Sequence, residues 1–240
     1  MTTDNVVFAM QRNFINTVVR GDCVQVMGQL PANSVDFILT DPPYLVNYLD
    51  RDGRRVRNDD DSSWLRPAFA EAYRVLGKDR FMISFYGWTK AEKFLEAWRS
   101  AGFRVVGHLV FRKTYSSQAR FLSYRHEQAY LLAKGSPKLP KHPIPDVLDM
   151  RYSGNKMHPT QKPVSALLPL IHAFTREDDL VLDPFCGSGS TGVAALLAGR
   201  RFCGIELDPG YHQVAMGRIE RRIVARRSSL LFSRSWNCGR

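Results

Sequence analysis

The last third of the chain carries the pattern that most restricts the fold. Leu180–Leu182 reads as a buried strand and Asp183–Ser190 (DPFCGSGS) as a glycine-bearing turn. Thr191–Ala198 then reads as a helix and Arg201–Leu207 (RFCGIEL) as a second strand. A strand that returns to a strand through a helix over so short a stretch must run parallel to the first, with the helix laid on one sheet face. The unit therefore predicts a parallel, doubly wound α/β sheet. A helix over Pro163–Phe174 precedes it, and a basic helix over Tyr211–Arg226 follows, with Ala215, Ile219 and Ile223 on one face. The glycines let backbone approach a ligand closely. Glu206, 23 residues after Asp183, ends the next strand, where a carboxylate can accept hydrogen bonds from both hydroxyls of a ribose. Gly187, Gly189 and Gly192 meet GxGxxG spacing, but the preceding DPF and the Ser190-Thr191 helix start are unusual for a dinucleotide fingerprint. Alone, the unit indicates an adenosine-containing ligand; the plainer reading is a tight turn capping a helix.

A second motif lies far upstream. In Asn33–Tyr44 (NSVDFILTDPPY), Val35, Phe37, Ile38 and Leu39 form a short buried strand that Asp41-Pro42-Pro43 stops abruptly. Alone it is a strand end with a rigid turn. At the carboxyl end of a strand in an α/β sheet, however, its side chains point into the ligand crevice. Asp50–Ser63 is polar throughout and reads as a surface loop; Trp64–Leu76 reads as a helix ended by Gly77. Arg80–Tyr86 is a buried strand, Thr89–Ala101 an amphipathic helix closed by Gly102, and Val105–Phe111 and Glu127–Leu132 two more strands. Arg112–Tyr124 is basic and aromatic, and Lys134–Tyr152 is rich in Pro and Lys. Neither shows regular periodicity, so both are candidates for a specificity-bearing insertion.

The 240 residues suffice for one full α/β domain. No apolar run reaches the roughly 18 residues that span a bilayer. The N-terminus, MTTDNVVFAMQR, lacks the features of a secretory signal, so a cytoplasmic location without a membrane partner is expected. Cys23, Cys186, Cys203 and Cys238 are scattered without zinc spacing, which predicts thiols used as small apolar residues and no metal. The formal charge of +11 suits a polyanion partner, and residues 217–240 supply six of it, with seven arginines against Glu220.

The motifs together are more specific than either alone. Gly21-Asp22-Cys23, SVDFILTDPPY, HPTQKP (His158–Pro163), DPFCGSGS and GIELD follow one another from about Arg20 to Arg218. In that order the chain resembles the β class of DNA amino-methyltransferases, in which the catalytic DPPY comes first, the recognition region next and the cofactor motif last. The resemblance implies a Rossmann-like S-adenosylmethionine-dependent methyltransferase fold in circularly permuted order, on a mostly parallel seven-stranded sheet. It implies one domain over residues 1–240. The catalytic half would span about 13–111, a target-recognition insertion 112–156, the cofactor half 157–226, and a basic tail 227–240.

By the same resemblance, the Asp41 carboxylate and the Pro42 carbonyl would accept the two N–H bonds of the target amino group. Pro43 would stiffen that turn, and Tyr44 would stack on a base flipped out of the duplex. S-adenosylmethionine would lie among Asp22, Cys23, Asp41, Thr160, Lys162, Asp183, Pro184, Phe185, Gly187, Ser188, Gly189, Ser190, Thr191, Glu206 and Leu207, with Glu206 on the ribose and Asp22 near the adenine. His158, a lone histidine before proline, is read as a pocket or structural residue. Candidate DNA contacts are Arg51, Arg54, Arg55, Tyr115, Arg120, Tyr124 and Arg125, with Arg57 also suited to phosphate. The resemblance further implies double-stranded DNA as substrate, a homodimer, and a cognate restriction endonuclease as a partner in a restriction-modification pair. Aspartate in DPPY favours adenine N6 over cytosine N4, whose enzymes more often carry serine there. An RNA or protein methylase is disfavoured by Asp41 and by the motif order. A non-catalytic DNA-binding module is disfavoured by intact Asp41, Tyr44, Gly187 and Glu206.

Overall fold

The computed structural model describes residues 14–47, 57–117, 121–140, 142–151 and 161–237, with side chains of the last helix described as far as Ala225. The strands are β1 (Thr17–Arg20), β2 (Val35–Thr40), β3 (Leu76–Phe85), β4 (Arg104–Ser117), β5 (Tyr124–Lys134), β6 (Val147–Met150), β7 (Leu180–Asp183) and β8 (Arg201–Glu206). The helices are α1 (Cys23–Gly28), α2 (Leu65–Val75), α3 (Ala91–Ala101), α4 (Val164–Phe174), α5 (Ser190–Leu197) and α6 (Pro209–Asn237). All eight strands join one sheet in the order β1-β8-β7-β2-β3-β5-β4-β6. Only the two pairings made by β5 are antiparallel. The doubly wound, mostly parallel sheet expected from the strand–turn–helix–strand unit is present, with eight strands among the described residues where seven were expected. The additional edge strand is β6, four residues of the Pro- and Lys-rich stretch that pair with Val110–Lys113 of β4.

Alternation along the central strands sends neighbouring side chains to opposite faces. Ile38, Met82, Leu132, Leu182 and Ile205 join the core under α1, α2 and α3. Phe37, Leu39, Ile83 and Val181 join the core under α4, α5 and α6. The chain leaves β7 for β8 on one side and β2 for β3 on the other, so the order reverses between the adjacent strands β7 and β2. A crevice opens at such a point beyond the strands' carboxyl ends. Both sequence motifs end there.

Three expectations change in detail. The helix read as Trp64–Leu76 ends at Val75, and Gly77 lies inside β3. Its last turn is closed by a side chain, because Lys134 Nζ donates to the carbonyls of Tyr73 and Leu76, each at 2.6 Å. The strands read as Val105–Phe111 and Glu127–Leu132 extend to Ser117 and from Tyr124, so much of the aperiodic basic stretch is sheet. The helix read to Arg226 runs on to Asn237, so most of the expected tail continues α6.

Candidate active site

The DPPY segment starts where β2 ends, and its neighbours hold it tightly. Thr40 Oγ1 donates to Asp183 Oδ1 at 2.9 Å, tying the carboxyl end of β2 to that of β7. Leu45 takes a positive φ of 62° and its amide donates to Asp59 Oδ1 at 2.7 Å. Asp59 is therefore buried rather than solvated, and it fixes the exit of the motif. Within the motif, the Tyr44 hydroxyl donates to Asp41 Oδ1 at 2.7 Å. Lys162 Nζ lies 2.6 Å from Asp41 Oδ2 and 3.0 Å from Glu127 Oε2 of β5. The Lys162 side chain is only 6% exposed, so this ammonium is committed to the two carboxylates.

Electrostatics follow from that burial. Desolvation pushes the Asp41 carboxyl above its ordinary range, and the Glu127 charge adds to this, while Lys162 opposes both. Burial also works against the charge on Glu127, but Lys162 and Lys113 outweigh it and hold this carboxyl below its usual value. Lys162 stays firmly protonated against its own desolvation because Asp41 and Glu127 flank it.

On the other side of the crevice the glycine turn is built from backbone and carboxylates. Glu206 Oε2 accepts from the Gly187 amide at 2.7 Å and Oε1 from the Asp208 amide at 2.8 Å. The Leu207 amide also donates toward this carboxylate, which keeps only part of its accepting capacity for a ligand. Gly189 has a φ of 83°, and a Cβ there would sit 3.1 Å from Ala215 Cβ, so it packs the turn against α6. Arg218 on α6 reaches the Ser188 carbonyl at 2.6 Å and anchors the turn from outside. Phe185 packs 4.9 Å from Trp64, whose indole N–H donates to the Asn58 carbonyl. Desolvation raises Asp183 to about 7, against hydrogen bonds from Thr191, Thr40 and the Phe185 amide.

One continuous cavity joins the two motifs. Asp22, Cys23, Asp41, Pro42, Pro43, Tyr44, Lys162, Asp183, Pro184, Phe185, Gly187, Ser188, Ser190, Thr191, Glu206 and Leu207 all line it. Gly189 does not. Asp22 caps α1, its Oδ1 accepting from the amides of Val24 and Gln25, and so has a structural duty at the cavity wall. Burial pushes the Cys23 thiol up to about 12, which makes it an inert apolar lining. Cys186 and Cys203 are buried as well. Thr160, His158 and Cys238 lie outside the described residues, as do Arg51, Arg54, Arg55 and Arg120. Arg57 pairs with Asp208 at 3.3 Å on the cavity rim. Tyr115 is half-buried with Lys113 over its ring, Arg125 is exposed, and the Tyr124 ring lies tilted against Trp88 with centroids 5.8 Å apart. Trp88 is itself 60% exposed.

Sequence reasoning missed Glu127, Thr40, Gln161 and Arg218. Glu127 offered a faint signal, an acid inside a segment otherwise read as strand. Thr40 and Gln161 lie within the motifs and Arg218 on the helix after the last one, with nothing to single out any of them. Among the described residues no cluster of His, Cys, Asp or Glu could hold a metal ion, and no helix is long and apolar enough to cross a membrane.

Known proteins resemble this chain in sequence and fold. YubD of Escherichia coli (strain K12), which carries the provisional name of a methylase, is 59% identical over 201 residues, covering 84% of this chain and 88% of its own. YhdJ of the same organism, a DNA adenine methyltransferase, is 29% identical over 87% of this chain and 84% of its own. Among solved structures, TTHA0409 of Thermus thermophilus, complexed with S-adenosyl-L-methionine, superposes with a TM-score of 0.69 at 22% identity, covering 86% of this chain and 93% of that one. The cytosine-N4-specific PvuII DNA methyltransferase superposes at 0.68 with 17% identity, covering 86% and 89%. These likenesses establish the fold. The model of the N6/N4 DNA methylases matches residues 35–217, from the first residue of β2 into α6, and the chain belongs to that DNA methylase family.

Proposed function

We propose that the protein transfers a methyl group from S-adenosylmethionine to N6 of an adenine flipped out of duplex DNA. The observation that carries this reading is the single cavity that runs from Asp41 and Tyr44 to Glu206 across the switch point. A DNA methylase must bring a base and an adenosine-containing methyl donor together, and this cavity has a distinct end for each.

The residues present fit the donor. Glu206 offers its remaining accepting capacity to ribose hydroxyls, Phe185 an apolar face, and the Gly187–Ser188 turn close backbone. Asp183 lies deeper, where an ionised carboxylate would balance a cationic group. When bound, S-adenosylmethionine supplies an electrophilic methyl on a sulfonium. The chain's task is to present a nitrogen lone pair to it. An adenine amino group is a weak nucleophile because its lone pair is delocalised into the ring. Accepting both N–H bonds, one by Asp41 and one by the Pro42 carbonyl, localises that lone pair and directs it. The proline pair fixes the carbonyl's direction, and Tyr44 offers an aromatic face worth roughly 1–3 kcal/mol to a stacked base. The methylated amine is cationic and loses its proton readily, so Asp41 need not act as a base in the transition state.

Adenine is favoured over cytosine by Asp41 and by the likeness to YhdJ, named as an adenine enzyme. Cytosine N4 is the second reading, favoured by the fold shared with the PvuII enzyme. DNA contact by Arg125 and Tyr124, pairing of two copies, and service beside a restriction endonuclease belong to the same proposal. Single-molecule sequencing of DNA from a methylation-free host expressing the gene tests it. Modified adenines at a fixed sequence are expected; modified cytosines would select the second reading, and unmodified DNA would remove both.

A further inference from the structure

The carboxylate that should receive the target amino group is already engaged. Asp41 Oδ1 holds the Tyr44 hydroxyl at 2.7 Å and Oδ2 holds the Lys162 ammonium at 2.6 Å. An acceptor held this closely by an ammonium has much of its charge already neutralised, and the incoming N–H must compete for it. Lys162 cannot simply leave, because a buried ammonium without a partner is strongly unfavourable.

Glu127 offers both groups a second seat. Its Oε2 lies 3.0 Å from Lys162 Nζ and 3.5 Å from the Tyr44 hydroxyl. It projects from β5 opposite Phe111 of β4, and it is absent from the cavity lining, so it stands behind the site rather than in it. Lys113, two residues along β4 and 5% exposed, adds a second positive charge to its surroundings. The cluster thus holds two carboxylates and two ammoniums, and shifting Lys162 from one carboxylate to the other leaves that balance unchanged.

We propose that Glu127 is a positioning residue that draws Lys162 and Tyr44 off Asp41 as the target base enters, freeing the Asp41 carboxylate to accept the amino N–H. The proposal rests on the reading of Asp41 as the amine's acceptor. It makes the free site a closed circuit of hydrogen bonds that the entering amino group opens. The groups that set its charge state are Asp41 and Tyr44 from the segment after β2, Lys162 before α4, and Lys113 on β4, and Asp41 in turn raises Asp183 at the end of β7.

Glu127→Gln keeps the shape and withdraws the charge, so Lys162 stays on Asp41. Single-turnover methyl transfer to duplex DNA should slow by about ten-fold, equivalent to about 1.4 kcal/mol. Cofactor affinity should be unchanged. The acidic limb of the rate profile should move to lower pH, because Asp41 loses a neighbouring negative charge while keeping Lys162. Glu127→Asp, which restores the charge, should recover part of the rate. A wild-type rate in Glu127→Gln would overturn the proposal. So would equal losses in both variants with an unmoved acidic limb, the pattern of a packing defect. A second arm needs no DNA. By carbon-13 NMR of the free protein, the Asp41 carboxyl should titrate at lower pH in Glu127→Gln than in the wild type, and an unmoved titration would overturn the Glu127 role by itself. A wild-type protein that shows this coupling yet methylates no DNA would instead overturn the reading of the site as a methylase.

Discussion

Asp41 and Asp183 close two adjacent parallel strands, and Thr40 ties their ends together. Burial raises both carboxyls, but at Asp41 a fixed cation opposes it, while at Asp183 only hydrogen bonds do and the carboxyl rises to about 7. A carboxyl raised on folding favours the protonated native state. Its contribution to stability is therefore greatest below the unfolded value and falls as pH rises through about 7. A cationic ligand group set against it reverses the preference. S-adenosylmethionine affinity should accordingly increase from pH 6 to pH 8 with release of a proton, and Asp183→Asn should flatten the dependence in calorimetric titrations. Glu206→Gln keeps the side chain's shape but sets an NH2 group where one oxygen accepts a backbone amide, and it weakens acceptance from ribose hydroxyls. Cofactor affinity should fall by about ten-fold or more, since charge-assisted hydrogen bonds are worth about 1.5–3 kcal/mol. Unchanged affinity in that variant would remove Glu206 from the cofactor site.

Elements decide how much of this could be read in advance. β7, α5 and β8 were legible because buried apolar strands flank glycines that only a close backbone approach explains. Gly192 illustrates the last point: a Cβ there would lie 2.5 Å from both Ile219 Cδ1 and a Phe202 ring carbon. Gly192→Ala should overpack the contact between α5 and α6 and cost about 1–3 kcal/mol, read as a lowered melting temperature. The β4–β5 hairpin was not legible beyond Phe111, and one residue explains why. Lys113 occupies an inward position between exposed Arg112 and Thr114, so the alternation is present in the structure but absent from the hydropathy. A charge belongs there because Glu127 lies nearby, a pairing across strands that local sequence cannot announce. The far end of the hairpin carries Tyr124 and Arg125, with Trp88 packed beside it. If this edge meets phosphate, Arg125→Ala should reduce the slope of DNA affinity against salt by about 0.9, measured over a salt series.

At the scale of the whole molecule, the formal charge of +11 suits a polyanion partner, and under the proposed function the cavity at the switch point receives a base and its methyl donor. The order of motifs along the chain was enough to anticipate that architecture, since each motif caps a strand and the strand order brings the caps together. The circuit through Glu127 was not, because it depends on side chains from β2, β5 and the turn before α4 meeting in space. The central claim, that this cavity methylates an adenine amino group held by Asp41, is tested most directly by one product analysis. Duplex DNA is incubated with methyl-labelled S-adenosylmethionine and either the wild type or Asp41→Ala, then digested to nucleosides. The account predicts label in N6-methyldeoxyadenosine with the wild type and none with the variant. Label in N4-methyldeoxycytidine, or equal label from both proteins, would contradict it.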